Sequence, residues 1–266
     1  MAIDCHAHVF LTDLPLVGDR RYAPAYDASI AQYLAMLDDN GMSRGVLVQP
    51  SFLGTDNRYL LAALGVAPER LRGIAVVSPD IALAELRLLA DQGVVGIRLN
   101  LIGKADPLFD DRHWRDHLSR IADLGWQIEV QAEAFRLPAL LPPLLAFGCD
   151  VVIDHFGKPD PALGVDDPGF RYLLSAGNSR RVWVKLSAAY RNGAGGGKIA
   201  LAAIPLLKDG LGLDRLVWGS DWPHTQFEDA MTPSAARQML SIWLPDPVER
   251  TVILDDSPAR LFRFGG

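Results

Sequence analysis

The chain has 266 residues, enough for one large domain and near the roughly 250 that a closed eight-fold strand-helix barrel requires. Apolar residues make up 49% of it and charged residues 22%, which excludes a disordered chain and supplies a large core. Its formal charge of −6 excludes a protein that holds nucleic acid through a basic surface, so cations gathered at one place would serve a local purpose.

The first predicted element is a strand over Ala2-Ile3-Asp4-Cys5-His6. It follows no basic segment or apolar leader, and Cys5 and Cys149 are too few for a disulfide framework; both features point to the cytoplasm. His6 and His8 stand two apart, so on a strand their imidazoles share a face. By the same alternation Cys5 would turn away from that face as a small core residue. Ser29 to Asp39 follows, with Ile30, Tyr33, Leu34 and Leu37 at helical spacing and Gly41 as a stop. Strands are then predicted at Gly45 to Gln49, Gly73 to Val77, Val95 to Leu99, Gln127 to Val130, Val151 to Asp154, Val182 to Leu186 and Arg215 to Trp218. They are short and apolar on both faces, as buried parallel strands are. Helices are predicted between them, among them Ala82 to Gln92 before Gly93 and Arg112 to Leu124 before Gly125. The apolar stretch Leu137 to Phe147 is broken by Pro138, Pro142 and Pro143 and is too short to span a bilayer. Eight such units with no composition break predict an α/β fold, a (β/α)8 TIM-type barrel as a single domain over 1–266. A doubly wound open sheet is the alternative.

In such a barrel the chemistry lies at the C-terminal ends of the strands. There the sequence places His6 and His8, Gln49 and Ser51, Arg98 and Asn100, Gln131 and Glu133, Asp154 and His155, Lys185 and Ser187, and Ser220 and Asp221. The strand starts are mostly apolar, so the polarity is one-sided and marks an active site. His6, His8, His155 and Asp221 are the candidate catalytic set, suited to gripping one metal ion or one carbonyl oxygen. Two other patterns are set aside. His113 and His117 have zinc-ligand spacing, but Arg112, Arg115, Asp116 and Arg120 around them predict a solvated helix face. Gly193 to Lys198 looks like a phosphate loop, yet Asn192 and Ile199 stand where one needs Gly and Ser or Thr, and a flexible loop is expected instead.

Several segments, taken in order, carry a family resemblance: Asp4-Cys5-His6-Ala7-His8-Val9-Phe10, Val48-Gln49-Pro50-Ser51, Gly96-Ile97-Arg98-Leu99-Asn100, Ile153-Asp154-His155-Phe156-Gly157-Lys158-Pro159 and Trp218-Gly219-Ser220-Asp221-Trp222-Pro223-His224. Through them the chain resembles the amidohydrolase superfamily nearly end to end, in the branch of the 2-pyrone-4,6-dicarboxylate lactonases and related lactone hydrolases. The resemblance implies a hydrolase in which Asp221 is the general base and His6, His8 and His155 surround the scissile carbonyl. That agrees with the chemistry of the residues, since a carboxylate can take the proton of an attacking water while imidazoles or a metal stabilise the oxyanion. Binuclear members of the superfamily add a bridging lysine or glutamate and a fourth histidine; here Lys185 and Ser187 occupy the seventh strand end. The resemblance therefore favours catalysis without a cofactor, with a single zinc on His6, His8, His155 and Asp221 as the alternative.

The expected partner is a small anionic lactone, with neither nucleic acid nor membrane involved. Arg98, Lys104 and Arg191 are the candidate ligands of its carboxylates, and Tyr22, Ser51 and Asn57 can add hydrogen bonds. Compared with the pyrone lactonases, Lys104 replaces an arginine, Leu53 a histidine and Gln131 a tyrosine, so the class expected is carboxylated lactones generally, as met in aromatic-compound breakdown. Two further readings are a zinc-dependent hydrolase or decarboxylase of the same superfamily, such as a sugar-acid lactonase, and a non-catalytic anion-binding barrel.

Overall fold

The computed structural model describes residues 1–264. Eight parallel strands lie side by side in chain order: β1 (Ile3–Ala7), β2 (Arg44–Val48), β3 (Leu71–Ala75), β4 (Val94–Asn100), β5 (Gln127–Gln131), β6 (Val151–Ile153), β7 (Val182–Leu186) and β8 (Leu216–Trp218). Backbone bonds bring the last strand back to the first: His8 N donates to the Trp222 carbonyl and Asp221 N to the His6 carbonyl, each at 2.8 Å. Asp4 locks this seam, its carboxylate accepting from the Ser220 amide at 2.7 Å and the Ser220 hydroxyl at 2.6 Å. The result is a TIM-type barrel.

A helix follows each strand: α1 (Ile30–Asp39), α2 (Arg58–Val66), α3 (Leu83–Asp91), α4 (Arg112–Asp123), α5 (Leu137–Ala146), α6 (Pro168–Ser175), α7 (Gly196–Gly210) and α8 (Pro233–Trp243), with two short helices, α9 (Pro247–Thr251) and α10 (Ser257–Leu261), after the last. The start of α1 is set locally, where Ser29 and Gln32 cap each other's backbone N–H groups. Among the described residues no helix is long and apolar enough to cross a membrane. The core has two shells. One fills the space between barrel and helices. The other lies inside the barrel, where Ile3, Val46, Ile74, Val152 and Trp183 pack against Leu261, Phe262 and Phe264 of the C-terminal segment. That apolar plug seals the end of the barrel where the strands begin and leaves the opposite end for a site.

Four expectations change. Relative to β2, β1 carries an extra residue between Asp4 and Ala7. This bulge breaks the alternation, so Cys5 packs inside the barrel with Ile3 and Val46 although His6, its neighbour, also points inward. β3 stops at Ala75 rather than Val77 because the Asn57 side chain captures Val76, accepting from its N at 3.2 Å and donating to its carbonyl at 2.8 Å. Of the two histidines on α4 only His113 is solvated; His117 is buried edge-on to Trp114. The glycine run also does not stay a loop, since Gly196 opens α7. A Cβ there would lie 1.9 Å from the Ala189 carbonyl oxygen, so only glycine lets the helix start this close.

Candidate active site

Above the plug the inward side chains form a charged floor. Lys185 on β7, Glu129 on β5 and Asp154 just after β6 are all fully buried, and Arg98 on β4 is nearly so. Lys185 Nζ lies 2.6 Å from Glu129 Oε1, 3.0 Å from His6 Nδ1 and 3.6 Å from Asp154 Oδ1. Arg98 donates to Asp154 Oδ2 at 3.3 Å, to Gln131 Oε1 at 2.8 Å and to the Gln49 carbonyl at 3.3 Å. Two cations thus face two carboxylates, which offsets the cost of taking all four from water. Burial pushes the Glu129 carboxyl up to about 7 even against the Lys185 ammonium. Burial also acts on Asp154, but His6 and Lys185 outweigh it and hold that carboxyl well below its ordinary range.

His6 rests on this floor. Gly219 makes the room, since a Cβ there would come within 2.5 Å of the His6 Cβ. His6 Nδ1 faces the Lys185 ammonium, which can only donate, at 3.0 Å and Asp154 Oδ1, which can only accept, at 3.3 Å; the shorter lysine contact favours the tautomer that carries its hydrogen on Nε2. His8 is arranged the other way. Its Nδ1 lies 2.7 Å from the Val48 carbonyl, which can only accept, so the hydrogen sits on Nδ1 and Nε2 keeps a lone pair. His155 Nδ1 lies 2.9 Å from the Ser187 hydroxyl. Burial lowers all three imidazoles, His8 to about 3, His155 to about 4 and His6 well below its ordinary value, so each is neutral at pH 7.

Asp221 closes the set from the loop after β8. Its backbone takes a left-handed turn at φ 62, and His155 does the same at φ 53, conformations that cost a non-glycine residue about 1–3 kcal/mol and recur at functional sites. Asp221 Oδ2 accepts from the Tyr190 hydroxyl at 2.5 Å and from Arg191 Nε at 2.7 Å. Burial pushes this carboxyl up, but Arg191 and the three histidines more than offset it and hold it well below its ordinary range. Oδ1 has no partner among the described residues and faces the equally unpartnered His6 Nε2 at 3.7 Å, with His155 Nε2 at 4.0 Å. A buried acceptor and a buried ring nitrogen left open to one point, beside a second imidazole, are suited to receive reacting atoms.

A cavity of about 220 Å³ opens over that point. Of the residues expected from sequence, His8, His155, Asp221, Arg98, Arg191, Tyr22 and Ser51 line it, with His6 beneath. Lys104 does not; its ammonium sits outside the cavity, 3.7 Å from Asp19. Asn57 does not either, being spent on Val76 and on the Thr55 carbonyl. Sequence reasoning missed Tyr190, which holds Asp221, and Arg21 and Lys158, which line the cavity. Tyr190 could have been found beside Arg191 in the turn after the seventh strand; the other two lie in loops without periodicity.

His6, His8 and Asp221 each offer a ligand atom within 4.8 Å of the others, as do His6, Asp154 and His155. His6 Nε2 and Asp221 Oδ1 are buried and unpartnered among the described residues, and with His8 Nε2 they fit a divalent metal when the His6 hydrogen lies on Nδ1, toward Asp154 Oδ1 at 3.3 Å.

A family model described as Amidohydrolase matches residues 3–264. The 2-pyrone-4,6-dicarboxylate hydrolase of Comamonas testosteroni is 33% identical over 98% of this chain and 90% of its own. The 4-sulfomuconolactone hydrolase of Rhizobium radiobacter is 32% identical over 98% and 89%. Among solved structures, a probable 2-pyrone-4,6-dicarboxylic acid hydrolase from Acinetobacter baumannii, with citric acid bound, superposes with a TM-score of 0.96 at 42% identity, covering 98% of this chain and 99% of that one.

Proposed function

The chain belongs to the amidohydrolase family, and we propose that within it the protein hydrolyses a small carboxylated lactone such as 2-pyrone-4,6-dicarboxylate. The observation that carries this reading is the open point between Asp221 Oδ1, His6 Nε2 and His155 Nε2, set at the bottom of a cation-lined cavity. Asp221 stays ionised at neutral pH and takes a proton from water on Oδ1, while the bare Nε2 of His8 accepts the second hydrogen of that water. The water oxygen bonds to the lactone carbon, and the carbonyl oxygen gathers charge. His6 donates to it through Nε2–H, the tautomer that the shorter Lys185 contact favours, and His155 does the same with its Nδ1 accepting from Ser187. Each such donor is worth about 3–4 kcal/mol in the transition state. The ring C–O bond then breaks, and Asp221 returns its proton to the departing oxygen, leaving a free hydroxyl and a carboxylic acid that loses its remaining proton to solvent as a carboxylate.

Base and donors are thus supplied by the chain, and turnover without a metal is the reading we favour. A divalent metal, when bound, would be held by His6, His8 and Asp221 and would supply a Lewis acid for the same carbonyl. A panel of 2-pyrone-4,6-dicarboxylate, muconolactones, sugar-acid lactones and the neutral dihydrocoumarin tests the proposal. Opening of at least one carboxylated lactone after exhaustive chelation is expected. No turnover across the panel would end the lactonase reading, and loss on chelation with one zinc released per chain would favour the zinc-dependent alternative.

A further inference from the structure

Four cations line the cavity, Arg21, Arg98, Lys158 and Arg191, but they are not equally available. Arg98 is paired with Asp154 and Arg191 with Asp221, so each faces a carboxylate of the protein's own. An anion approaching either meets an almost neutral pair. Among the described residues, neither Arg21 nor Lys158 lies within 4.0 Å of a carboxylate; Arg21 donates to Asn100 Oδ1 at 3.4 Å and Lys158 to the Arg191 carbonyl at 3.1 Å, both neutral acceptors. The carboxylate that acts on both, Glu133, is itself held by Arg136 at 3.1 Å. Burial lowers both groups' pKa, and mutual repulsion among the cavity cations lowers them further, as expected of charges that lack a counter-ion.

We infer that Arg21 and Lys158 form the anion-selective subsite of this cavity, and that it takes a carboxylate carried on the lactone ring away from the scissile carbonyl. The identity of the ligand as a lactone rests on the proposed activity; the subsite itself does not. Arg98 and Arg191 then orient oxygens of the substrate, while the net attraction for a charged ring comes from the other two. This distinguishes Lys158 from Lys104, which has the same charge but stands outside the cavity against Asp19.

Isophthalate, a dicarboxylate that cannot be hydrolysed, serves as the probe, with binding to the full chain followed by calorimetry. Arg21→Met and Lys158→Met are each expected to weaken it about tenfold, the loss of one charge-assisted hydrogen bond. Lys158→Arg is expected to stay within about threefold of wild type. Lys104→Met, which removes an equal charge outside the cavity, is expected to stay within about twofold. Losses below threefold in both Arg21→Met and Lys158→Met, or an equal loss in Lys104→Met, overturn the inference. Because the probe is inert, a protein that opens no lactone still gives a clear answer on the subsite, and the two failures are told apart.

Discussion

At the floor of the cavity Lys185 and Arg98 are enclosed by Glu129, Asp154 and His6, with every charge answered by another. At its mouth Arg21 is exposed and Lys158 half-buried, and the charge of neither is cancelled by a paired carboxylate among the described residues. The same residue types therefore do different work. A buried cation must be neutralised, and once neutralised it fixes geometry, here the tautomer of His6. A cation left unbalanced near water keeps its attraction for a ligand. On the proposed function, catalytic geometry and substrate charge selection lie in separate layers, so each can be perturbed alone.

The largest effect is expected at the floor. Lys185→Met strands Glu129 and should cost about 3–5 kcal/mol of stability, read from chemical denaturation. It should also lower kcat on the order of a hundredfold by releasing the His6 tautomer. The double variant Lys185→Met with Glu129→Gln removes the stranded charge and should recover most of the stability but not the rate. Recovery of both would reduce Lys185 to a structural role.

Burial without charge compensation has its own scale, which His117 on α4 provides. Its pKa is lowered to about 4 from an ordinary 6.5, first by burial and then by Arg120. The unfolded chain therefore binds a proton that the fold refuses, and stability should fall as pH drops from about 6.5 toward 4, by on the order of 3 kcal/mol at the acid end. His6, His8 and His155 act in the same window, so His117→Gln should remove only its own share of that slope, without touching kcat. An unchanged slope would assign the acid sensitivity to other groups. The smallest effect belongs to Tyr190→Phe, which removes one hydrogen bond from Asp221 Oδ2 and should lower kcat about tenfold with KM within about twofold. A rise in KM instead would make Tyr190 a substrate contact.

The division between floor and mouth is also the division between what could and could not be read from sequence. Strand alternation and one-sided polarity were sufficient for the barrel and for His6, His8, Arg98, His155 and Asp221 to be placed at one end. They misplaced Cys5 because a single bulged residue in β1 reverses the facing of everything before it, and no local signal marks the bulge. The mouth is made by loops, where spacing carries no direction. Lys104 and Lys158 both follow strand ends, and only the packed structure brings one to the cavity and the other to Asp19. Asn57 likewise looked free to meet a substrate until Val76 supplied the backbone groups that claim it.

On the proposed mechanism Asp221 Oδ1 removes a proton from water at a site whose binding groups lie elsewhere. The most direct measurement is turnover of the best carboxylated lactone by Asp221→Asn beside isophthalate affinity in the same preparation. Turnover should fall by at least about a thousandfold, while affinity is kept or tightened as Arg191 loses its carboxylate partner. Turnover within tenfold of wild type would rule out Asp221 as the base.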